Sequence, residues 1–229
     1  QNVFKKNAKK VIKRFIPKSL MKYRRYRHQI RFVKNYQSRR KVEIPKYVKS
    51  GKNICPPHGI KENYVEKFAK EFDINILVET GTYLGEMVYA MRNNFEHIIS
   101  IELDKELYEN ASNFFRKDKH IEIIQGDSSK VLPEILKNIN QSCLFWLDGH
   151  YSGGITAKGE LSTPIVSEIS FIKENAVSNN IDHVILIDDA RDFNGTDGYP
   201  TIKEFEKFVN ELFPDYLFKV QDDIIVIHK

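Results

Sequence analysis

The sequence of this 229-residue chain predicts an α/β fold in which a mostly parallel, seven-stranded sheet carries helices on both faces. Short apolar segments alternate with amphipathic helical segments from residue 61 to the C-terminus, as parallel βαβ units require. A glycine-rich turn joins the first apolar segment to the helix after it, and an acidic residue ends each segment of the predicted parallel core. A basic helical extension precedes this pattern.

The individual elements are predicted from the spacing of their apolar residues. Helical segments place these residues every three to four positions, whereas the strand segments are short and nearly continuous in apolar character, which is typical of strands buried on both faces. The predicted strands are 76–79, 98–102, 121–125, 143–147, 183–188, 216–220 and 224–228. The predicted helices are 61–72, 86–93, 104–116, 129–138, 162–174 and 201–212.

Charge divides the chain into two parts. Residues 1–52 contain 19 lysines and arginines and a single acid, Glu43, so their formal charge is +18. The remainder has a formal charge of −13, although the whole chain carries only +5. We therefore predict a basic helical arm and linker at 1–52 and a separate acidic domain at 53–229, with the linker in the stretch 42–59, which contains prolines and glycines.

The basic arm has several candidate partners. Its apolar residues recur at roughly helical spacing between basic positions, and Pro17 is expected to break or kink the helix. A basic amphipathic helix suits an anionic membrane surface, here through residues 1–41, or a nucleic acid or an acidic protein. It is equally compatible with an extension that packs on its own domain or on a second subunit, so a homo-oligomer stays open.

Composition excludes several classes of protein. Two cysteines, Cys55 and Cys143, are too few for a disulfide framework or a zinc cluster, and Cys143 opens an apolar segment as a small core residue would. No apolar run reaches the length of a membrane span, and no signal-peptide core is recognisable. The expected localisation is cytoplasmic, with peripheral attachment to the inner membrane face if the arm binds lipid.

The stretch 75–85, NILVETGTYLG, is the one from which a function can be inferred. It combines a buried strand, a turn and a helix N-terminus, where a ligand can lie against backbone N–H groups. Gly81 permits a tight turn, and Gly85 is expected to let the helix and the strand pack closely. The pattern acid-x-Gly-x-x-x-Gly lacks the middle glycine of dinucleotide-binding turns, and it resembles the first motif of the class I S-adenosylmethionine-dependent methyltransferases.

This resemblance covers residues 61–229 and implies a Rossmann-like class I methyltransferase fold with S-adenosylmethionine as cofactor. In that family an acid after the second strand holds both ribose hydroxyls, and Glu102 occupies this place, where a carboxylate can accept two hydrogen bonds from a diol. An acid after the third strand meets the adenine amino group; Asp127 fits this role, although it could instead cap the next helix. The implied cofactor-binding residues are Glu79, Gly81, Thr82, Tyr83, Gly85, Glu102, Asp127 and Ser128.

Three further carboxylates follow neighbouring strands, Asp148 after the fourth and Asp188 and Asp189 after the fifth. Clustered carboxylates repel one another unless a cation neutralises them, and oxygen ligands select a hard ion such as Mg²⁺ or Mn²⁺. The arrangement resembles the metal-dependent O-methyltransferases of the catechol and antibiotic-sugar type, in which an aspartate after strand four and an acidic or amide pair after strand five hold Mg²⁺. The resemblance therefore implies these three aspartates as metal ligands.

The acceptor side of the predicted site rests on fewer features. His150 is the candidate base, assisted by Asp148, because imidazole titrates near neutral pH. His150 could instead bind the metal or the substrate, since an acidic residue tends to occupy its place in the antibiotic-sugar relatives. The loop 151–159 has the composition of a mobile lid. The predicted substrate contacts are Tyr151, Lys158, Arg191 and Tyr199, of which Arg191 could equally pair with a nearby acid.

Together these features predict an S-adenosylmethionine-dependent O-methyltransferase that is assisted by a divalent metal and modifies a sugar hydroxyl. The acceptor class, a surface polysaccharide or a glycosylated metabolite, rests on resemblance to bacterial methyltransferases carrying ETGTYLG and LDGHYSGG. One alternative is an RNA methyltransferase that uses the arm; against it, no Asn-Pro-Pro-Tyr-type motif follows the fourth strand. The other is a non-catalytic adaptor with a methyltransferase-like fold, against which the intact acids argue.

Overall fold

The computed structural model describes residues 18–52, 54–148 and 164–229. Two helices, α1 (Lys18–Lys34) and α2 (Tyr36–Lys49), precede an α/β domain. The strands of the domain are β1 (Ile76–Thr80), β2 (His97–Glu102), β3 (Ile121–Gln125), β4 (Leu144–Leu147), β5 (Val184–Ile187), β6 (Leu217–Gln221) and β7 (Ile224–His228). Its helices are α3 (His58–Glu71), α4 (Glu86–Met91), α5 (Lys105–Phe115), α6 (Ser128–Leu136), α7 (Ile165–Asn179) and α8 (Ile202–Leu212), with a short 3-10 helix at Ala190–Asp192.

The seven strands form one sheet in the order β3-β2-β1-β4-β5-β7-β6. The five strands from β3 to β5 are parallel, and β7 lies antiparallel to both of its neighbours. The winding of the chain reverses between β1 and β4, and such a switch point leaves a crevice beyond the carboxyl ends of the strands. The predicted fold class is confirmed, and the crevice is where a ligand site is expected.

Two apolar layers hold the helices on the sheet. Helices α6, α7 and α8 pack on one face, and α3, α4 and α5 pack on the other. Every residue of β4 and β5 is buried, which explains why these strands show no alternation of polar and apolar residues in the sequence. Cys143, just before β4, is fully buried, as expected of a small core residue.

The predicted linker at 42–59 is wrong over its first half, because α2 continues to Lys49 with Pro45 inside the helix. The physical reason is packing: Tyr47 is only 2% exposed, and its hydroxyl donates to Asp222 Oδ1 at 3.0 Å. The stabilisation from packing this turn on the domain outweighs the cost of the backbone hydrogen bond that Pro45 cannot donate. Helix α3 also begins at His58, three residues before the predicted start.

The described part of the arm, residues 18–52, packs on its own domain, which was one of the arrangements the sequence left open. Val33 of α1 is fully buried, and the Tyr36 ring meets the Tyr89 ring of α4 edge-on at 5.6 Å. Ion pairs reinforce this contact, among them the pair between Arg40 Nη1 and Glu62 Oε2 at 2.7 Å. Among the helices that the structure describes, none combines the length and apolar character needed to cross a bilayer.

Candidate functional site

The carboxyl ends of the parallel strands and the β6–β7 turn form one rim of the sheet, and the acids predicted at the strand ends lie along it. We divide this rim into two named regions. The cofactor half comprises the β1–α4 turn and the acids Glu79, Glu102 and Asp127. The acid half comprises Asp148, Asp188, Asp189, Asp222 and Asp223.

Glu102 ends β2 and is 5% exposed. Its Oε2 accepts the backbone N–H of Tyr83 at 2.7 Å, and its Oε1 accepts that of Asp104 at 2.8 Å. Burial raises the pKa of Glu102, and the two N–H donors oppose this rise. The two backbone bonds orient the carboxylate. Each oxygen still has a lone pair that can accept a hydrogen bond from a diol.

The β1–α4 turn is shaped by two glycines in the left-handed region, Gly81 at φ 89° and Gly85 at φ 78°. A Cβ on Gly85 would lie 2.9 Å from Cε2 of Phe115, a residue of α5. The close approach predicted for Gly85 therefore exists, but its partner is α5 and not the preceding strand. The N–H of Gly81 donates to Ile101 O at 2.9 Å, which ties the turn to β2.

Glu79 lies inside β1 and not at its end, because the strand continues to Thr80. It is 2% exposed, and its carboxylate accepts a hydrogen bond from Ser100 Oγ. Ser100 Oγ also lies 2.6 Å from Thr82 Oγ1, so β2 links Glu79 to the turn. Burial raises the pKa of Glu79 well above its ordinary value. A contact with the methionine part of the cofactor stays a prediction.

Asp127 caps helix α6. Its Oδ1 accepts from the Ser129 N–H at 3.0 Å and from Ser129 Oγ at 2.7 Å, which is the capping alternative that the sequence allowed. Ser128 is the first residue of this helix. Contacts of Asp127 or Ser128 with adenine stay predictions.

Asp148, Asp188 and Asp189 meet as the sequence predicts: one carboxylate oxygen of each lies within 4.8 Å of those of the other two. Asp188 is 3% exposed and Asp189 is 8% exposed. Asp189 adopts φ 52°, and its N–H donates to Asp188 Oδ1 at 2.8 Å, which turns both side chains toward the rim. Burial of the carboxyl group has the largest effect on Asp188 and raises its pKa, and the negative charge of Asp148 raises the pKa further. The cluster is therefore rich in negative charge and short of solvent.

Lys61 of α3 places a cation in this cluster, and sequence reasoning did not assign it to the site. Its Nζ donates to Asp188 Oδ2 and lies 3.4 Å from Asp189 Oδ1, and its side chain is 14% exposed. Lys61 precedes Asp188 by 127 residues, and within an amphipathic helix it resembles any surface lysine. No local pattern distinguishes it.

Arg191 joins the acid half to the β6–β7 turn. Its Nη2 donates to Asp189 Oδ1 at 2.7 Å, and its Nη1 pairs with Asp223. The alternative in which Arg191 pairs with an acid is therefore the one observed, and its contact with substrate stays a prediction. Tyr199 packs edge-on against Phe193 at 5.0 Å. The remaining predicted catalytic and substrate residues, His150, Tyr151 and Lys158, lie outside the described residues.

The β6–β7 turn adds Asp222 and Asp223 to the rim, which the strand-end pattern missed because these strands are antiparallel. Both residues have positive φ, 49° and 63°, as a two-residue hairpin of type I′ requires. Asp222 accepts hydrogen bonds from Lys52 Nζ at 2.7 Å and from Tyr64 Oη at 2.9 Å. The sequence signal was available, since QDD separates two apolar segments. A cavity of about 530 Å³ lies against this turn and Arg191.

Glu168 of α7 is a buried acid that the sequence analysis did not single out. It is 1% exposed and faces the hydroxyls of Ser128 and Thr80. Within the described part of the chain, neither Glu168 Oε1 nor Thr80 Oγ1 completes a hydrogen bond of ordinary geometry. Burial raises the pKa of Glu168 to about 7. The carboxyl of Glu168 therefore lies next to Thr80 and Ser128 of the rim, and among the described residues its Oε1 lacks a hydrogen-bond donor.

The arm reaches the cofactor half directly. Gln29 of α1 is 5% exposed, and its Nε2 donates to the carbonyl of Leu84 at 3.0 Å, inside the β1–α4 turn. Arg39 of α2 pairs with Glu86, the first residue of α4. A second set of potential metal-ligand atoms, from His58, Glu62 and Glu86, lies close by. Because Arg40 and Arg39 already pair with these two glutamates, the charge of this second set is balanced.

Comparison with solved structures supports the fold. The chain is similar to a protein from Staphylococcus aureus described as a caffeoyl-CoA O-methyltransferase, with TM-score 0.53, 11% identity and coverage of 90% of this chain and 99% of that one. It is also similar to an O-methyltransferase from Bacillus cereus in complex with S-adenosylhomocysteine, with TM-score 0.51, 12% identity and coverage of 84% and 91%.

A third similar structure is the methyltransferase domain of bacterial CtHen1-CN, with TM-score 0.50, 10% identity and coverage of 74% of this chain and 97% of that one. No protein-family model matches the sequence, and no curated protein matches it. At these identities the similarity shows the fold: the chain has the α/β architecture of the S-adenosylmethionine-dependent methyltransferases.

Proposed function

We propose that this chain is an S-adenosylmethionine-dependent O-methyltransferase that uses a divalent metal ion and acts on a sugar hydroxyl. The observation that supports it most is the presence, on one rim, of a carboxylate suited to a diol, Glu102, beside the three clustered acids Asp148, Asp188 and Asp189. Two of the similar structures are O-methyltransferases by description, in keeping with transfer to oxygen.

The cofactor half fits S-adenosylmethionine. Glu102 would hold the ribose hydroxyls, because two backbone N–H groups fix its orientation and lone pairs remain on both oxygens. When bound, S-adenosylmethionine supplies a methyl group on a positively charged sulfur, which is electrophilic without further activation. The work left to the protein is to orient the reactants, exclude water and remove the acceptor proton. His150 is the predicted base for that proton.

The acid half fits a hard divalent ion, since its donors are all oxygen and the three carboxylates lie within 4.8 Å of one another. Asp148, Asp188 and Asp189 would hold it. When bound, Mg²⁺ or Mn²⁺ supplies positive charge that lowers the pKa of an acceptor hydroxyl. An ion with open positions also favours an acceptor with two adjacent oxygens, which is a property of sugars.

The test combines calorimetric titration of S-adenosylmethionine with transfer of labelled methyl to a panel of glycosides that carry vicinal hydroxyls. Asp188→Asn should keep the cofactor Kd within about threefold and lower turnover by about 100-fold or more, because the metal serves the acceptor. Asp197→Asn, at an exposed position, is the control. Absence of cofactor binding would favour the adaptor alternative, and methylation of RNA with none of glycosides would favour the RNA enzyme.

We infer that the outward face of the arm attaches the enzyme to an anionic membrane, where lipid-linked glycans would be at hand. Val42, Lys46 and Lys49 share one face of α2 at spacings of four and three residues, and all three are exposed. Val42 is 69% exposed, so an apolar side chain shares this face with two cations, as in helices that lie in the membrane interface. The inward cations pair with acids of the domain, which leaves this face to meet an external anion.

Flotation with vesicles of neutral lipid, with and without anionic lipid, tests this attachment. Lys46→Glu/Lys49→Glu should reduce flotation on anionic vesicles about tenfold or more, because each basic residue contributes about 1 kcal/mol at such a surface. The matched control is Lys203→Glu/Lys207→Glu on α8, where both lysines are exposed. Equal flotation of both variants would contradict the inference, as would retention on RNA without flotation. Deletion of the arm is unsuitable, because it removes the buried Tyr47.

A further inference from the structure

Among the cations of the acid half, the ammonium group of Lys61 lies closest to the buried carboxylate of Asp188. Lys61 lies in the first turn of α3, and its Nζ donates to Asp188 and lies 3.4 Å from Asp189 Oδ1. The carboxylate of Asp188 is fully buried, and the Lys61 side chain is 14% exposed. The ammonium group therefore occupies the region that the same carboxylates would offer to a metal ion.

The ammonium group of Lys61 is in contact with two buried carboxylates, those of Asp188 and Asp189. An ammonium group and a divalent ion about 4 Å apart would repel each other strongly, because like charges are only partly screened in a partly buried site. The two cations therefore compete for the same oxygens and do not share them.

We propose that Lys61 is the resident counter-ion of the metal-free site and that metal binding displaces it, so that the acid half works by cation exchange. The proposal rests on the metal-assisted function above. Lys61 would stabilise the three carboxylates in the absence of metal and would weaken metal binding by the free energy needed to move the ammonium away. Its long, flexible stem makes such a displacement feasible without movement of α3.

The proposal is tested on the full chain with Mn²⁺ alone, by following the electron paramagnetic resonance signal of the free ion. Lys61→Met removes the charge at similar length and should lower the Kd for Mn²⁺ by about tenfold or more, because the competing cation is gone. Lys61→Arg keeps the charge and should bind as weakly as the unmodified chain. Lys67→Met, at an exposed lysine of the same helix, is the control and should change nothing.

A second readout on the same variants is thermal unfolding with chelator and with Mn²⁺. Lys61→Met should lose stability in chelator and recover it in Mn²⁺ by a larger shift in Tm than the unmodified chain shows, because the buried carboxylate of Asp188 has lost its ammonium partner. If the unmodified chain binds Mn²⁺ and Lys61→Met binds it equally or more weakly, the exchange is wrong and the metal function stands. If neither binds Mn²⁺, both are wrong, and Lys61 is a permanent structural cation.

Discussion

The two halves of the rim hold their carboxylates in different ways. In the cofactor half the partners are neutral donors: backbone N–H groups for Glu102, and a serine hydroxyl for Glu79. In the acid half the partners include cations as well as neutral donors. These cations are Lys61 for Asp188 and Asp189, Arg191 for Asp189 and Asp223, and Lys52 for Asp222.

This difference indicates what each half can bind. A carboxylate held by neutral donors has no cation to exchange and keeps its remaining lone pairs, so it is suited to an uncharged polyol such as ribose. A carboxylate held by an ammonium or guanidinium group is suited to exchange one cation for another. If one half binds a polyol and the other exchanges cations, a change in one half should leave binding of the other half's ligand unaffected.

The largest expected effect comes from Glu102→Ala. The variant loses an oriented carboxylate, and a hydrogen bond to a charged group contributes about 1.5–3 kcal/mol, so we expect the Kd for S-adenosylmethionine to rise about 100-fold. The affinity for Mn²⁺ should not change. Calorimetry measures both values, and Glu106→Ala, at a partly exposed glutamate in the first turn of α5, is the control. An equal loss of both ligands would mean that the halves are one site and not two.

Glu168→Gln should have the next largest effect, because among the residues that the structure describes Oε1 of this carboxyl has no hydrogen-bond partner. Burial raises its pKa to about 7 in the folded chain, against an ordinary value of 4.5, a difference that corresponds to about 3 kcal/mol. Between about pH 4.5 and pH 7 the unfolded chain has released the carboxyl proton of Glu168, whereas the folded chain still holds it. The free energy of unfolding therefore falls as pH rises from about 4.5 to 7.

The variant cannot ionise, so it should unfold about 6–12 °C above the unmodified chain at pH 8.5 and at nearly the same temperature at pH 4.5. Thermal unfolding at the two pH values measures the effect. Glu174→Gln lies on the same helix at an exposed position and should show no such dependence on pH. A gain of equal size at both pH values would show that packing, and not ionisation, causes it.

Much of the rim is predictable because parallel strands deliver their last residues to one edge. Apolar segments that end in Glu102, Asp148 and Asp188 are sufficient to bring these acids to the same side of the sheet. Glu168 had a usable signal as well, since it lies on the apolar face of α7 defined by Ile165, Ile169 and Ile172.

The contacts made by the cations and by the arm could not be predicted from the sequence. Lys61 and Asp188 are 127 residues apart, and Gln29 and Leu84 are 55 residues apart. Their contacts depend on how helices α1 and α3 lie against the domain, which no local spacing determines. The same is true of α2, where packing of Tyr47 keeps a helix through Pro45 that local propensity would end.

The smallest expected effect concerns Gln29, a neutral donor to the cofactor half that is 55 residues from its acceptor in the sequence. Gln29→Leu removes the bond from Nε2 to the carbonyl of Leu84 and leaves that carbonyl with one bond fewer, which costs about 1 kcal/mol. Because Leu84 lies within the β1–α4 turn, we expect the Kd for S-adenosylmethionine to rise about three- to tenfold while the Kd for Mn²⁺ stays the same. Gln37→Leu, exposed on α2, is the matched control. If Gln29→Leu alters neither value, the arm only covers the turn; if it alters both, the arm supports the whole rim.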